Sequence, residues 1–532
     1  MKTNLCTDLC IVSVILSLAG AEQRPNILLI TADDMNWDSV GAYGCPVPDV
    51  TPNIDNLVSQ GFMFDYGYVN IAICDPSRHV ILSGSHSHQT MTRGFTEVEP
   101  MGPTLPSLLR DNGYYIAQVN KRQVGYPFFE WIGEHNTMWG RNATFSGQLA
   151  ARIMRKARNL GAPFFLNFNL NDPHRPFHGS KAEKERFGDQ RNSMFQDPSR
   201  IYKADEINVP GFLPDLPAVR TEMAQYYSSV RRLDDGVGAL LHALELVGQV
   251  NNTVVLFMSD NGLSAPYAKI NCYQASLRVP LILRYPGVIE PGKRETTRMV
   301  SAIDIAPTLL EIVGLPVPSH MAGRSFVPLL YGEEQDDRDF VIGYYYRNLK
   351  DAEMYPMFVV HTIDWVYIYN PWVKKGKEVK NSDYKKSLIR LAMLDFANYD
   401  EAIYNRVQFH RFRIREELYH LEDDPDSYVN VIDKPENQER LARMRAVLVQ
   451  WMKETDHPAQ TLMQDPHNDT LISAYLSYET CNARVQIEER YYGGSSINST
   501  CTLSSSAIRQ RDQRMLFFVL ALWIFSVGAI LV

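Results

Sequence analysis

Four short apolar runs, each ending in polar side chains, constrain this chain more than any other feature. Residues 26–31 (NILLIT) lead into Asp33 and Asp34, and residues 115–119 (YIAQV) lead to Lys121. Residues 164–168 (FFLNF) lead to Asn171, Asp172, His174 and Arg175, and residues 253–258 (TVVLFM) lead to Asp260 and Asn261. Runs of this length and composition read as strands buried on both faces. Helical patterns lie between them: Ile54, Leu57 and Val58 before Gly61, then Leu105, Leu108 and Leu109 before Gly113, and a long one over 219–247. Strands alternating with helices predict an α/β fold, a large, mostly parallel sheet sandwiched by helices. Ligands of such sheets bind beyond the carboxyl ends of the strands, where these polar residues fall.

From about residue 301 the texture changes. Short aromatic strands at 357–361 and 365–369, the run 416–421 and a helix over 437–455 read as a smaller C-terminal α+β subdomain. The expected division is a catalytic unit at 24–340, the subdomain at 341–480 and a tail at 481–506. Both ends look like processing segments. Lys2, the apolar run 9–18 and Ala19-Gly20-Ala21 form a signal peptide over 1–21. Ser504 to Ser506, the polar spacer 507–514 and the apolar run 515–532 follow the order of a GPI-attachment signal, with a plain membrane helix as the alternative. Sequons at Asn142, Asn251, Asn468 and Asn498 agree with the secretory route and an outward-facing, membrane-held protein. The net charge of -8 comes without a long basic run, which argues against nucleic acid as a partner.

Five cysteines remain after the signal. Cys481 and Cys501 have the spacing of a small disulfide loop. Cys45 with Cys272 is a pairing by elimination, and it leaves Cys74 as the odd thiol.

Adjacent carboxylates at the end of a buried strand repel unless a cation holds them. Asp33 and Asp34 alone would read as a helix cap or turn. With Asp260 and Asn261 at an equivalent strand end they supply four oxygen donors and no soft ligand, a set suited to calcium or magnesium rather than zinc.

The stretch Cys74-Asp75-Pro76-Ser77-Arg78, with Leu82-Ser83-Gly84 after it, resembles the signature of the sulfatases. The resemblance runs from Arg24 to about residue 456. NDPHRP at 171–176, QYYSSV at 225–230 and DDPD at 423–426 are similar to the heparan N-sulfatase (sulfamidase) subgroup. It implies an alkaline-phosphatase/sulfatase-like fold and a formylglycine made from Cys74 by the formylglycine-generating enzyme during secretion. It also implies one calcium ion on Asp33, Asp34, Asp260, Asn261 and the converted Cys74. Arg78 would anchor the formylglycine, while Lys121 and His174 would contact the sulfate. Lys269 falls where the subgroup has an arginine, so the charge is kept and the fork is lost. The implied activity is hydrolysis of sulfated sugars, N-sulfoglucosamine of heparan sulfate above all, at the cell surface or in lysosomes. A homodimer is left open.

One departure bears on turnover. The family has a histidine two or three residues after the lysine, and this chain has Gln123 and Val124. A glutamine cannot take a proton at neutral pH. His86, His88 or His178 could substitute, although each by itself reads as an ordinary supporting side chain. The alternative function is a sulfatase-like protein that binds sulfated glycans without releasing sulfate. A phosphate-ester hydrolase of the same superfold is a weaker third reading.

Overall fold

The computed structural model describes residues 24–95, 102–121, 130–132, 139–188, 195–347, 353–379 and 384–492. All four apolar runs are strands of one sheet: β1 (Asn26–Ala32), β3 (Tyr115–Val119), β5 (Phe164–Asn169) and β6 (Thr253–Ser259). With β2 (Phe62–Tyr68), β4 (Glu130–Ile132), β7 (Leu281–Arg284) and β8 (Lys293–Ser301) they form the order β4-β3-β5-β1-β6-β7-β2-β8. β4, β3, β5, β1 and β6 are parallel, and β7 runs antiparallel to both β6 and β2. The chain between β6 and β7 never recrosses the sheet, so β7 starts where β6 ends and must run back.

Register brings the strand ends into line. Ile27 stands beside Phe165 and Val254, and Thr31 beside Asn169 and Met258, so β1, β5 and β6 end flush. The next residues continue the pairing: Asp33 N–H donates to the Asp172 carbonyl at 3.1 Å, and Asp260 N–H to the Ala32 carbonyl at 3.2 Å.

Helices α1 (Pro52–Ser59), α2 (Cys74–Ser83), α3 (Ala143–Asn159) and α4 (Pro217–Leu246) serve this sheet. The first turn of α1 has no cap from its own chain segment. Instead Asp234 of α4 accepts from Asn53 N–H at 3.0 Å and Ile54 N–H at 2.8 Å, which satisfies orphan donors and fixes the angle between the two helices.

A second, antiparallel sheet has the order β12-β11-β10-β9, with β9 (Val341–Tyr345), β10 (Met357–His361), β11 (Trp365–Tyr369) and β12 (Glu416–His420). Helices α5 (Gln438–Glu454) and α6 (Asp469–Tyr492) belong to this half, and α6 runs unbroken through Cys481. Tyr344 N–H donates to the Asn70 carbonyl at 2.8 Å, joining the two halves by backbone.

Aromatic rings reinforce that junction. His86 Nε2 accepts from the Trp451 indole at 3.0 Å, His86 stacks on His88, and His88 meets His457 edge to face. Burial pushes His86 down to about 3 and His361 to about 4, and holds His88 well below the free imidazole value. The unfolded chain protonates these rings from about pH 6.5 downward, whereas the folded chain resists to far lower pH. Their contribution is therefore complete above pH 6.5 and lost as pH falls toward 3, at up to ~1.4 kcal/mol per pH unit for each ring. The variant His86→Phe should therefore lose less stability than the wild type, or gain more, between pH 7 and pH 5, and an identical pH dependence of melting in both would contradict it.

The expected Cys45–Cys272 disulfide is absent. Both cysteines are free, as is Cys74. Cys45 sits beside Tyr227 and Asp38, whereas Cys272 is buried near Arg413 and Glu417, so elimination paired two cysteines from different neighbourhoods. Cys74 is thus one of three free thiols among the described residues, and its surroundings distinguish it. Cys481 is disulfide-bonded, and its expected partner Cys501 lies outside the described residues, as do the signal segment, Asn498 and the apolar tail. Asn251 is exposed, and Asn142 and Asn468 are half-buried. Among the described residues no helix is long and apolar enough to cross a membrane.

Candidate active site

The flush strand ends deliver Asp33 and Asp34 from β1 and Asp260 and Asn261 from β6, all four fully buried. Asp34 adopts a left-handed turn (φ 69°), which Asp tolerates better than most residues, and its N–H donates to Asp260 Oδ1 at 3.0 Å. Helix α2 begins at Cys74, so its positive end faces the same place. Cys74 Sγ lies 3.4 Å from Asp33 Oδ1, 3.8 Å from Asp34 Oδ1 and 3.1 Å from Lys269 Nζ. Lys269 also pairs with Asp34 at 2.7 Å, and Lys121 pairs with Asp33 at 2.5 Å.

His174 Nε2 stands 3.8 Å from Asp34 Oδ2. Its Nδ1 is 2.5 Å from the Arg175 carbonyl, a contact that requires the proton on Nδ1 and leaves Nε2 facing the cluster. The side chains of His174 and Lys121 are 33% and 25% exposed, whereas those of Asp33, Asp34 and Lys269 are 1% exposed. The site is therefore a buried acidic floor with a half-open cationic rim.

Burial would raise Asp33, but Lys121, His174, Arg78 and Lys269 together hold it well below the usual carboxylate range. Burial dominates at Asp260, pushed up to about 7 despite Arg78, with Asp33 and Asp34 adding to the rise. Burial also pushes the Cys74 thiol well above its ordinary value against the pull of Lys269. His174 is lowered by burial, with Asp33 and Asp34 opposing.

Arg78 reaches from the first turns of α2 under three strand ends. It donates to Asp260 Oδ2 at 3.0 and 2.7 Å, to Thr31 Oγ1 at 2.6 Å and to Asn169 Oδ1. The sequence pointed to neither Thr31 nor Asn169; their side chains differ from ordinary strand residues only in being polar within a buried run. Behind His174, Asp172 is gripped by Arg232 at 2.6 and 3.0 Å. Arg232 also donates to Glu183 at 3.1 Å. Arg141 donates to the His174 carbonyl at 2.5 Å and the Pro176 carbonyl at 2.7 Å, which fixes the loop that carries the imidazole. Arg141, Arg232 and Glu183 had no signal in the sequence, since each looks like a surface charge on a helix or turn.

Asp33, Asp34, Cys74, Arg78, Lys121, His174, Asp260, Asn261 and Lys269 thus converge on one spot. Gln123 and Val124 lie outside the described residues. His86 contacts Tyr344 and Trp451, His88 contacts Thr455, His86, Trp451 and His457, and His178 contacts Arg232, Glu183 and Asp197.

The side chains gathered here could hold a metal ion. Ligand atoms of Asp33, Asp34, Cys74 and His174 all lie within 4.8 Å of one another. Asp34 Oδ2 and Asn261 Oδ1 are buried and accept no hydrogen bond, which is costly unless a cation supplies the missing partner. Asp260 is engaged by Arg78 and by the Asp34 N–H, so it would join such an ion while holding both.

A sulfatase family model matches residues 25–315, and a model described as N-sulphoglucosamine sulphohydrolase, C-terminal, matches residues 264–387. The first spans more than half of the chain, and the chain belongs to the sulfatase family, a hydrolase class that its buried acidic floor and cationic rim suit. Human N-sulphoglucosamine sulphohydrolase is 29% identical over 482 residues, covering 84% of this chain and 94% of that protein. An ulvan-active sulfatase of Formosa agariphila is 28% identical, covering 81% of this chain and 75% of that protein. A solved structure in complex with its substrate D-glucosamine-2-N,6-O-disulfate superposes with a TM-score of 0.59 at 20% identity, covering 82% of this chain and 99% of that one. A phosphonate monoester hydrolase of Silicibacter pomeroyi shares the fold at a TM-score of 0.58 and 16% identity, covering 82% of this chain and 96% of that one. Fold alone therefore does not choose between sulfur and phosphorus.

Proposed function

We propose that this sulfatase releases sulfate from sulfated sugars, with N-sulfoglucosamine at the end of heparan sulfate as its substrate, through a formylglycine derived from Cys74. The observation that carries the reading is the seat of Cys74. Its sulfur lies at the first residue of α2, 3.1 Å from Lys269 and 3.4 Å from Asp33, where an anion would meet a helix N-terminus and several cations. The sulfur marks where the modified side chain begins. Buried and far from thiolate-forming conditions, the thiol itself makes a poor nucleophile. The substrate class is supported by the match to the N-sulphoglucosamine sulphohydrolase C-terminal model and by the human relative's name.

In this reading residues 24–340 are the catalytic unit and residues 341–480 a subdomain packed on it. A formylglycine at position 74 would supply the nucleophile that displaces the sugar oxygen or nitrogen from sulfur. Lys121 and Lys269 hold the sulfate oxygens and stabilise the charge that builds there, joined by His174 when its ring carries both protons. His174 Nε2, aimed inward by the Nδ1 contact, can donate to the leaving group when protonated. Release of sulfate from that formylglycine would need a base to take one proton. A calcium ion held by Asp33, Asp34, Asp260, Asn261 and the converted Cys74 would supply positive charge against the sulfate oxygens.

Mass spectrometry of the Cys74 peptide from secreted protein, beside an assay on N-sulfoglucosamine-terminated oligosaccharide, tests this. Aldehyde at position 74 with sulfate release is expected; sulfate release from protein whose Cys74 is wholly unmodified would overturn it. Calcium is expected to raise the melting temperature of the wild type, by about 2.7 kcal/mol of stability at a hundredfold excess over the dissociation constant. The variant Asp34→Asn should lose most of that rise, and equal rises in both would move the ion elsewhere.

Gln123 favours a second reading, in which the pocket binds sulfated glycans with little turnover. If no other group serves as base, Gln123→His should raise the rate of sulfate release, within the roughly 10²- to 10⁴-fold range of general-base assistance. An unchanged rate would mean that another residue already takes that proton.

A further inference from the structure

Lys269 touches both Cys74 and Asp34, yet it rides on a loop that should not hold its shape unaided. Tyr267 (φ 67°) and Ile270 (φ 68°) flank it in the left-handed region, which side chains of their size rarely adopt unless the surroundings impose it. One end of the imposed shape is plain: Ile270 N–H donates to the Ala72 carbonyl at 3.0 Å, two residues before Cys74. The other end is Asn271, 2% exposed. Its Nδ2 donates to the Lys269 carbonyl at 3.2 Å and the Ala268 carbonyl at 3.3 Å, while its Oδ1 accepts from Arg413.

Arg413 comes from the C-terminal half, just before β12. It also donates to the Tyr273 hydroxyl and lies 3.9 Å from Glu417. Glu417 is fully buried and receives the Tyr273 and Tyr419 hydroxyls, each at 2.7 Å, and Asn370 Nδ2 at 2.7 Å. A closed chain of contacts therefore runs from β12 through Glu417, Arg413 and Asn271 to the backbone of Lys269, and from there to Cys74. Burying an ion pair is a costly way merely to fill space, since apolar groups of the same volume do so as well or better. The forked guanidinium does what an apolar group cannot: it holds an amide and a phenol at fixed spacing.

We propose that Arg413 and Asn271 are positioning residues for Lys269, so that the second sheet completes the sulfate site of the first. This rests on the proposed role of Lys269 as a sulfate-binding cation. It predicts a specific pattern in the affinity for inorganic sulfate, read as the rise in melting temperature with sulfate concentration on calcium-loaded, converted protein, which needs no turnover. Lys269→Ala, Asn271→Asp and Arg413→Lys should each weaken sulfate binding by about tenfold. Asn271→Asp keeps an acceptor for Arg413 and loses the donor to Lys269, so it remains informative should Arg413→Lys fold poorly. Combined with Lys269→Ala, either variant should add no further loss, because a group that acts through Lys269 has nothing left to position. Sulfate affinity at the wild-type level in Asn271→Asp, or losses that add in full to that of Lys269→Ala, would overturn the proposal. Undiminished affinity in Lys269→Ala itself would strike the assignment of Lys269, and the positioning role with it.

Discussion

Cys74→Ala is expected to lower sulfate release by at least ~10⁴-fold on sulfated aryl and N-sulfoglucosamine substrates, as loss of a covalent nucleophile does elsewhere. The cations remain in place in this variant. Lys121 still pairs with Asp33, Lys269 with Asp34 and Arg78 with Asp260, so the pocket keeps its charge and its affinity for sulfate. Removing one buried sulfur costs the fold little by comparison, and melting should stay within a few degrees. The expected signature is therefore a collapse of kcat with sulfate binding retained. Release at background level from both wild type and Cys74→Ala would leave only the glycan-binding reading.

Arg232→Met should produce the largest loss of stability, on the order of 3–5 kcal/mol, because it strands two buried carboxylates. Asp172 and Glu183 are both fully buried, and Arg232 meets them at 2.6 and 3.1 Å. Arg141 stays nearby, at 3.5 Å from Asp172 and 3.7 Å from Glu183, and the His178 ring lies 3.8 Å from Glu183. One charge cannot satisfy both acids at those distances, and the freed loop carries His174. The variant should melt several degrees lower and lose activity together, whereas Arg443→Ala, at an exposed pair with Glu439, should change neither. A melting temperature unchanged by Arg232→Met would show that these acids are neutral or otherwise compensated in the folded protein.

What could be read from residues alone was local. The run 26–31 is apolar almost throughout, so it read as a buried strand, and Asp33-Asp34 after it pointed to a cation only once Asp260 and Asn261 stood at an equivalent strand end. The same reasoning held at 164–168 and 253–258, and it put the candidate metal donors and His174 at strand ends. β7 escaped it. Four residues, Leu281–Arg284, carry no period, and their antiparallel direction follows only from where the preceding loop leaves the chain. The Cys45–Cys272 pairing failed for a related reason: counting cysteines presumes that all possible partners are meant to pair, and distance decides that.

Residue order was enough to place acids, an amide and a histidine at the carboxyl edge of a mostly parallel sheet, while the helix start at Cys74 came from the structure. Strand composition and helix period are properties of neighbours along the chain, and they suffice for that much. Only the tertiary structure decided that Arg78 would be tied to Thr31, Asn169 and Asp260, that Arg232 and Arg141 would brace the His174 loop, and that Arg413 would reach Asn271 from another sheet. An arginine in a sequence looks the same whether it ends in water or in a buried pair, because its partner is chosen by the packing of elements far apart in the chain.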